Sequence, residues 1–198
     1  MTEPAYRQIL PEDGAWPAQG SWTYEDYLRL PDDGNRYEVI RGILYVTPAP
    51  NFQHQFAVGR LFRCFDEFVF DQGLGVVLTA PFDILLPFGI ASPVEPDVMV
   101  FRTGNAPQGE DKNFQGVPDL VLEALSPSTR NRDRKVKLQA YQDAGVPEYW
   151  VADPRTRTIT VHRLEGGRYA ELCRGGAGER VRSALLPGFE LAVTRVFP

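Results

Sequence analysis

Residues Leu120 to Leu125 read Leu-Val-Leu-Glu-Ala-Leu, and no other stretch limits the fold of this chain so strongly. The run is short, almost wholly apolar, and bounded by Pro118-Asp119 and Ser126-Pro127. A run of that kind reads as a strand covered on both faces, because a half-solvated strand alternates polar and apolar residues. Its one charge, Glu123, is then costly to bury unless it is paired or bound to a metal ion. Both readings stand at this residue: a salt bridge, with an arginine of the following helix as the natural partner, or metal ligation.

A second acid borders a second short apolar run. Asp97 follows Pro96 and opens Val98-Met99-Val100-Phe101. An Asp at a strand start is most often a turn residue, but beside the Glu123 run it supplies a second carboxylate. After them comes a lysine-bearing helix in which Asp133, Lys137 and Tyr141 recur every fourth residue and so share one face. Carboxylates on neighbouring strands with a lysine alongside are what a Mg²⁺ or Mn²⁺ site for phosphate chemistry requires. Lys135 points away from that face and competes for the lysine's role. The alternative for Lys137 is an ordinary surface ion pair.

Around the helix start, Arg130, Arg132, Arg134, Lys135 and Lys137 crowd together, relieved only by Asp133. Such a patch grips phosphates, or is a solvated helix start. Glu38, between Tyr37 and Val39-Ile40, is an acid in a strand-like context and reads by itself as the exposed face of an edge strand. His54 opens a helix, where a cap or a packed residue is the commoner role. His162 falls on the open face of a late strand.

The rest of the sequence removes other chemistries. The formal net charge is −5, which argues against a permanent nucleic-acid coat and makes phosphate engagement dependent on bound metal. Cys64 and Cys173 lie in unrelated contexts, and there are two histidines in all, so a structural zinc site and a His-rich zinc hydrolase are disfavoured. Free cysteines suit a reduced cytoplasmic setting. No apolar run approaches a membrane span, and Met1-Thr2-Glu3-Pro4 has no export-signal character. Phosphate-loop, dinucleotide-fold and nucleophile-elbow motifs are missing.

Pro4, Pro11, Gly14, Pro17 and Gly20 mark residues 1–20 as an extended, flexible N-terminal arm, and 21–198 as one domain. Thr23 and Asp26 form an Asp version of a capping box at a short helix. Arg36 to Ile40 and Ile43 to Val46 flank a glycine turn as a hairpin. From Phe52 to Phe70, apolar residues recur at helical spacing. Leu74 to Thr79, Phe82 to Leu86 and Val98 to Phe101 are strand-like; 104–116 reads as a polar, movable loop. The lysine-bearing helix spans about 131 to 145, and Glu148 to Ala152 and Arg157 to Leu164 are later strands. The pattern is α/β or α+β.

Taken together, Arg36-Tyr37-Glu38-Val39-Ile40-Arg41-Gly42, His54, Pro96-Asp97, the run from Pro118 to Thr129, Asp133-x-x-x-Lys137-x-x-x-Tyr141 and Ala144-Gly145-Val146-Pro147-Glu148-Tyr149-Trp150 resemble the Uma-type family of restriction endonucleases, within the PD-(D/E)XK phosphodiesterase superfamily. The resemblance implies a restriction-endonuclease-like core, with a mixed central sheet flanked by helices. It maps Asp97 onto the Asp of the PD motif and Glu123 onto the acid of the (D/E)XK motif, with Glu38 assisting the metal. Leu125 stands where that motif has lysine, and relatives with this pattern place the lysine on the following helix, here Lys137. The implied activity is Mg²⁺- or Mn²⁺-dependent hydrolysis of nucleic acid, DNA first. Arg130, Arg132, Arg134, Lys135 and His54 are the expected substrate contacts, and a homodimer is one expected assembly. The alternative is a nucleic-acid-binding or assembly module whose site no longer cleaves.

Overall fold

The computed structural model of the chain describes residues 15–47, 49–126 and 132–198, without the side chains of Arg132 and Asp133. The described residues form a mixed α+β fold. Its larger sheet has six strands in the order β11 (Arg168–Gly175), β10 (Thr158–Glu165), β9 (Glu148–Asp153), β8 (Leu120–Ala124), β6 (Val98–Arg102) and β3 (Gly75–Thr79). A second, five-stranded sheet runs β2 (Ile43–Thr47), β1 (Arg36–Ile40), β5 (Ala91–Val94), β4 (Asp83–Leu86) and β7 (Asn113–Gln115). Neighbours are antiparallel except β8 with β9 and β4 with β7. β12 (Arg180–Arg182) and β13 (Glu190–Ala192) make a small separate pair.

Period-two alternation sorts the central strands onto two faces. Val98, Val100, Leu120, Leu122, Ala124, Trp150 and Ala152 face one core with the long helix α2 (Phe52–Asp71) and the C-terminal residues. Asn51 caps α2 by accepting from the His54 N–H at 3.0 Å. The helix lays Leu61, Phe65 and Val69 on the sheet, where the Phe65 ring lies 4.6 Å from Phe189 and 5.1 Å from Trp150. Burying one such ring stabilises by about 1.5–3 kcal/mol.

Met99, Phe101, Val121, Tyr149 and Val151 face the opposite core, which they share with Ile40 and Ile84 of the second sheet and with Ala140, Tyr141 and Ala144 of α3 (Leu138–Ala144). Asp97 and Glu123 have the same parity as this second set. The chain crosses over this face between the parallel strands β8 and β9 through a π-helical turn, Arg132–Lys137, that runs into α3. Gly145, at φ 86°, closes α3 in the left-handed conformation that a Cβ disfavours.

The helix and strand periods in the sequence place most elements, with three differences. β5 and β7 are additional strands; β7 lies inside the segment 104–116 that reads as a loop and pairs with β4 in parallel. Glu38 is not on an exposed edge: β1 lies between β2 and β5, and its carboxylate side is buried against the larger sheet. His162 stacks against Tyr149 and Tyr169 at ring separations of 6.1 Å and is not on an open face. At the N-terminus, residues 1–14 lie outside the described residues, while Gln19 bonds both backbone groups of Leu44 and Gly20 donates to the Gly42 carbonyl at 2.7 Å. A Cβ on Gly42 would lie 2.5 Å from the Gly20 carbonyl oxygen, so the hairpin turn admits the arm only as glycine.

Candidate active site

Strand register puts the two sequence-predicted acids together. β6 and β8 pair antiparallel with Val98 opposite Leu122, so one further pair sets Asp97 opposite Glu123. The Ala124 N–H donates to Asp97 Oδ2 at 2.9 Å, tying the Asp97 carboxylate to the strand that carries Glu123. Both side chains are buried.

The crossover then brings α3 down on the same face. Lys137 Nζ donates to Glu123 Oε1 at 2.8 Å, and the Tyr141 hydroxyl donates to the same oxygen at 2.6 Å. From the second sheet, β1 points Arg36, Glu38 and Ile40 inward by alternation, and Glu38 Oε1 lies 2.7 Å from Lys137 Nζ. Lys137 is fully buried (0 % exposed), an ammonium held between two carboxylates. Lys135, two residues away, is exposed, as a helical turn demands.

Arg36 and His54 complete the cluster. Arg36 Nη1 reaches Asp97 Oδ1 at 3.1 Å, and His54 Nε2 lies 3.0 Å from Asp97 Oδ2. Burial by itself pushes the Asp97 carboxyl upward, but His54, Arg36 and Lys137 outweigh it and hold Asp97 well below the usual carboxylate range. Burial opposes the charge on Arg36, and Asp97, Glu38 and Glu123 override it, so Arg36 stays protonated. Burial and the Glu123 charge raise the Tyr141 phenol, which keeps it a donor.

Glu95 is a member of this cluster that the sequence does not announce. It sits two residues before Asp97, buried, with Oε2 4.0 Å from Arg36 Nε, and its N–H donates to Glu38 Oε1 at 3.0 Å. Burial, with smaller contributions from the Glu38 and Asp83 charges, pushes its carboxyl up to about 7 against the pull of Arg36 and Lys137. The signal was Glu95-Pro96-Asp97 itself, two acids on the same parity of one extended segment.

Of the other expected contacts, Arg134 is tied up: its Nη2 lies 3.2 Å from Asp153 Oδ2. Arg130 and the side chain of Arg132 lie outside the described residues. His54 faces Asp97, and it also lines a cavity that opens beside the cluster.

Lys137 thus joins Glu123 to Glu38, and Asp97 stands opposite Glu123 on the neighbouring strand. The family described as "Putative restriction endonuclease", Uma2, matches residues 24–194. The chain belongs to the Uma2 family. Among solved structures, it is similar to one described as a "putative nuclease belonging to DUF820" from Anabaena variabilis, at 20% identity and a TM-score of 0.74. That match covers 88% of this chain and 97% of the other, and it shows a shared fold. No curated protein matches the chain. Membership in Uma2 makes this a restriction-endonuclease-like protein. No described helix is long and apolar enough to cross a membrane.

The chemistry of the donor set fits a hard divalent ion, since Asp97, Glu123 and Glu38 all offer carboxylate oxygens. Among the described residues these acids are not gathered as a ready cage of three. Lys137 bridges Glu38 and Glu123, while Arg36 and His54 both contact Asp97.

Proposed function

We propose that this chain is a metal-dependent nuclease that hydrolyses phosphodiester bonds, with DNA as substrate and the cytoplasm as its setting. The observation that carries this reading is the buried Lys137 ammonium beside Glu123, with Asp97 opposite on the neighbouring strand. Asp97 and Glu123 would hold the Mg²⁺ or Mn²⁺ ion, with Glu38 assisting, and the bound ion supplies charge neutralisation at phosphate and a more acidic water.

The chain's own groups do the rest. Lys137 orients the attacking water and offers a proton-donating cation to the nonbridging phosphate oxygens. Tyr141 and Glu38 fix where that ammonium sits, since both it and Tyr141 bond the same Glu123 oxygen. His54 and Arg36 hold Asp97 ionised and oriented. Apolar walls on both sides exclude bulk water from the carboxylates, which strengthens each of these interactions.

A nicking assay on supercoiled plasmid, with Mg²⁺ and Mn²⁺ titrated over the pure protein, tests the reading. Wild-type protein is expected to nick and Asp97→Asn to be inactive. One observation favours a second reading, a nucleic-acid-binding or assembly module that does not cleave: the acids are already engaged by the protein's own cations. Plasmid binding without nicking at any metal concentration selects it.

A further inference from the structure

Beside the acid cluster lies a cavity of about 590 Å³ that none of the proposed catalytic groups fills. One wall is the start of α2, with Asn51, Gln53 and His54; another is the end of β8, with Ser126; the third is the β9–β10 turn, with Arg155 and Arg157. We infer that this cavity seats the nucleotide next to the scissile phosphate, with Arg155 and Arg157 gripping the sugar–phosphate backbone. The inference rests on the nuclease reading.

Three observations carry it. Among the described residues, Arg36 is paired with Asp97 and Arg134 with Asp153. Arg155 and Arg157 are exposed and make no ion pair among the described residues. A pair of unengaged guanidiniums on a concave wall is a phosphate receptor, because each presents a planar fork of donors.

The turn is also built to hold them there. Asp153, buried at the end of β9, accepts from the Arg155 N–H at 3.1 Å and the Thr156 N–H at 3.4 Å, and its other oxygen is pinned by Arg134. Arg157 sits at φ 53°, a left-handed conformation that a non-glycine residue adopts only where its surroundings demand it. The turn is thereby coupled to the π-helical segment that delivers Lys137.

Finally, the cavity is joined to the chemistry through His54. Its side chain is 9 % exposed, its Nε2 is on Asp97, and its Nδ1 has no hydrogen-bond partner among the described residues. A buried ring nitrogen left over on a cavity wall is a place for one more polar contact. The backbone N–H groups at the start of α2 add favourable partial charge for an anion in the same space. The cavity volume falls within the range of small-ligand sites.

The test uses full-length protein with Arg155→Gln and Arg157→Asn combined, Asn being chosen because it tolerates the left-handed conformation. Both positions are exposed, and thermal unfolding checks that the fold is kept. Binding to a short labelled single strand and to a short labelled duplex is followed by anisotropy over a salt series, with Ca²⁺ in place of Mg²⁺. The double variant is expected to bind about tenfold to a hundredfold more weakly at moderate salt. The slope of log K against log salt should fall by about 1.4 for the single strand or about 1.8 for the duplex, as for two lost phosphate contacts. Loss confined to one probe supports the site and identifies the strand form it takes. An Arg63→Gln, Arg163→Gln control, at two exposed arginines outside the cavity lining, should bind as wild type. Wild-type affinity and slope in the double variant, with wild-type protein binding normally, overturns the cavity assignment and leaves the nuclease reading standing. Failure of wild-type protein to bind either probe overturns both.

Discussion

Two glutamates sit fully buried on the adjacent parallel strands β8 and β9, and they are held in opposite ways. Glu148, at the start of β9, accepts from the Trp150 indole at 2.7 Å, the Ser183 hydroxyl at 2.7 Å, and the N–H groups of Ala184 and Leu185 at 2.7 and 3.1 Å. These are neutral, directional donors that saturate the carboxylate and clasp the C-terminal segment to the sheet. Glu123, at the end of β8, lies among Lys137, Tyr141 and, through the cluster, Glu38, Asp97 and Arg36. Burial alone therefore says nothing about function. A carboxylate satisfied by neutral donors is a structural clasp; one embedded in a dense set of opposing charges beside a cavity is a candidate for chemistry.

The largest expected effect comes from removing the cation at the centre. Lys137→Ala leaves Glu38 and Glu123 facing each other without their shared ammonium. Plasmid nicking should fall to background, and unfolding stability should drop by about 3–5 kcal/mol. Chemical denaturation and the nicking assay read the two effects separately. Glu148→Gln should show the opposite pattern: stability falls by about 1–3 kcal/mol, because Gln cannot accept from all four donors, while nicking stays near wild type. Equal damage to nicking by both substitutions would erase the contrast.

Tyr141→Phe is a finer cut. It deletes the 2.6 Å bond to Glu123 and keeps the ring packed against Tyr149. A stability loss of about 1.5–3 kcal/mol is expected, as for a bond to a charged group, with reduced turnover and unchanged substrate affinity.

The pH dependence of stability separates Glu95 from Asp97. Glu95 has a folded pKa raised to about 7, so the folded state holds its proton longer than the unfolded chain. Its contribution is full below the unfolded value near 4.5 and is lost as pH rises toward 7. Asp97 is held below its usual value, so its contribution is present above the unfolded pKa and is lost in acid. Glu95→Gln should therefore flatten the stability profile between about pH 4.5 and 7, by on the order of 1–3 kcal/mol across the window, and leave the acid limb in place. Denaturation midpoints measured across pH for both proteins check it, and an unchanged profile would remove Glu95 from the cluster.

The smallest effect is expected at Lys135, which is exposed two residues from Lys137. Lys135→Ala should weaken nucleic-acid binding modestly and in a salt-dependent way, reducing the salt slope by about one phosphate contact, with no loss of the chemical step.

Local pattern made part of this molecule legible. Glu123 stands out because it is the one charge in an apolar run, and that run is a strand buried on both faces. The fourfold spacing of Lys137 and Tyr141 anticipates that both side chains meet one target, and both bond Glu123 Oε1. What sequence pattern misses depends on non-local pairing. The burial of Glu38 requires β5 to cover β1, and β5 begins after the Pro87–Gly89 turn with no clear alternation of its own. Glu95 enters the cluster only because β5 carries it past Glu38. Arg155 reads as a turn residue and Arg157 as the start of a strand, and their place on a cavity wall follows from where α2 starts, about a hundred residues earlier in the chain.

The proposed seat of chemistry is the charged glutamate site, and not the neutral one. Single-turnover nicking of supercoiled plasmid in Mg²⁺ or Mn²⁺ by wild type, Lys137→Ala and Glu148→Gln tests it most directly. Wild type and Glu148→Gln should nick, and Lys137→Ala should not. Nicking at the wild-type rate by Lys137→Ala, or its absence in wild-type protein with either ion, would contradict it.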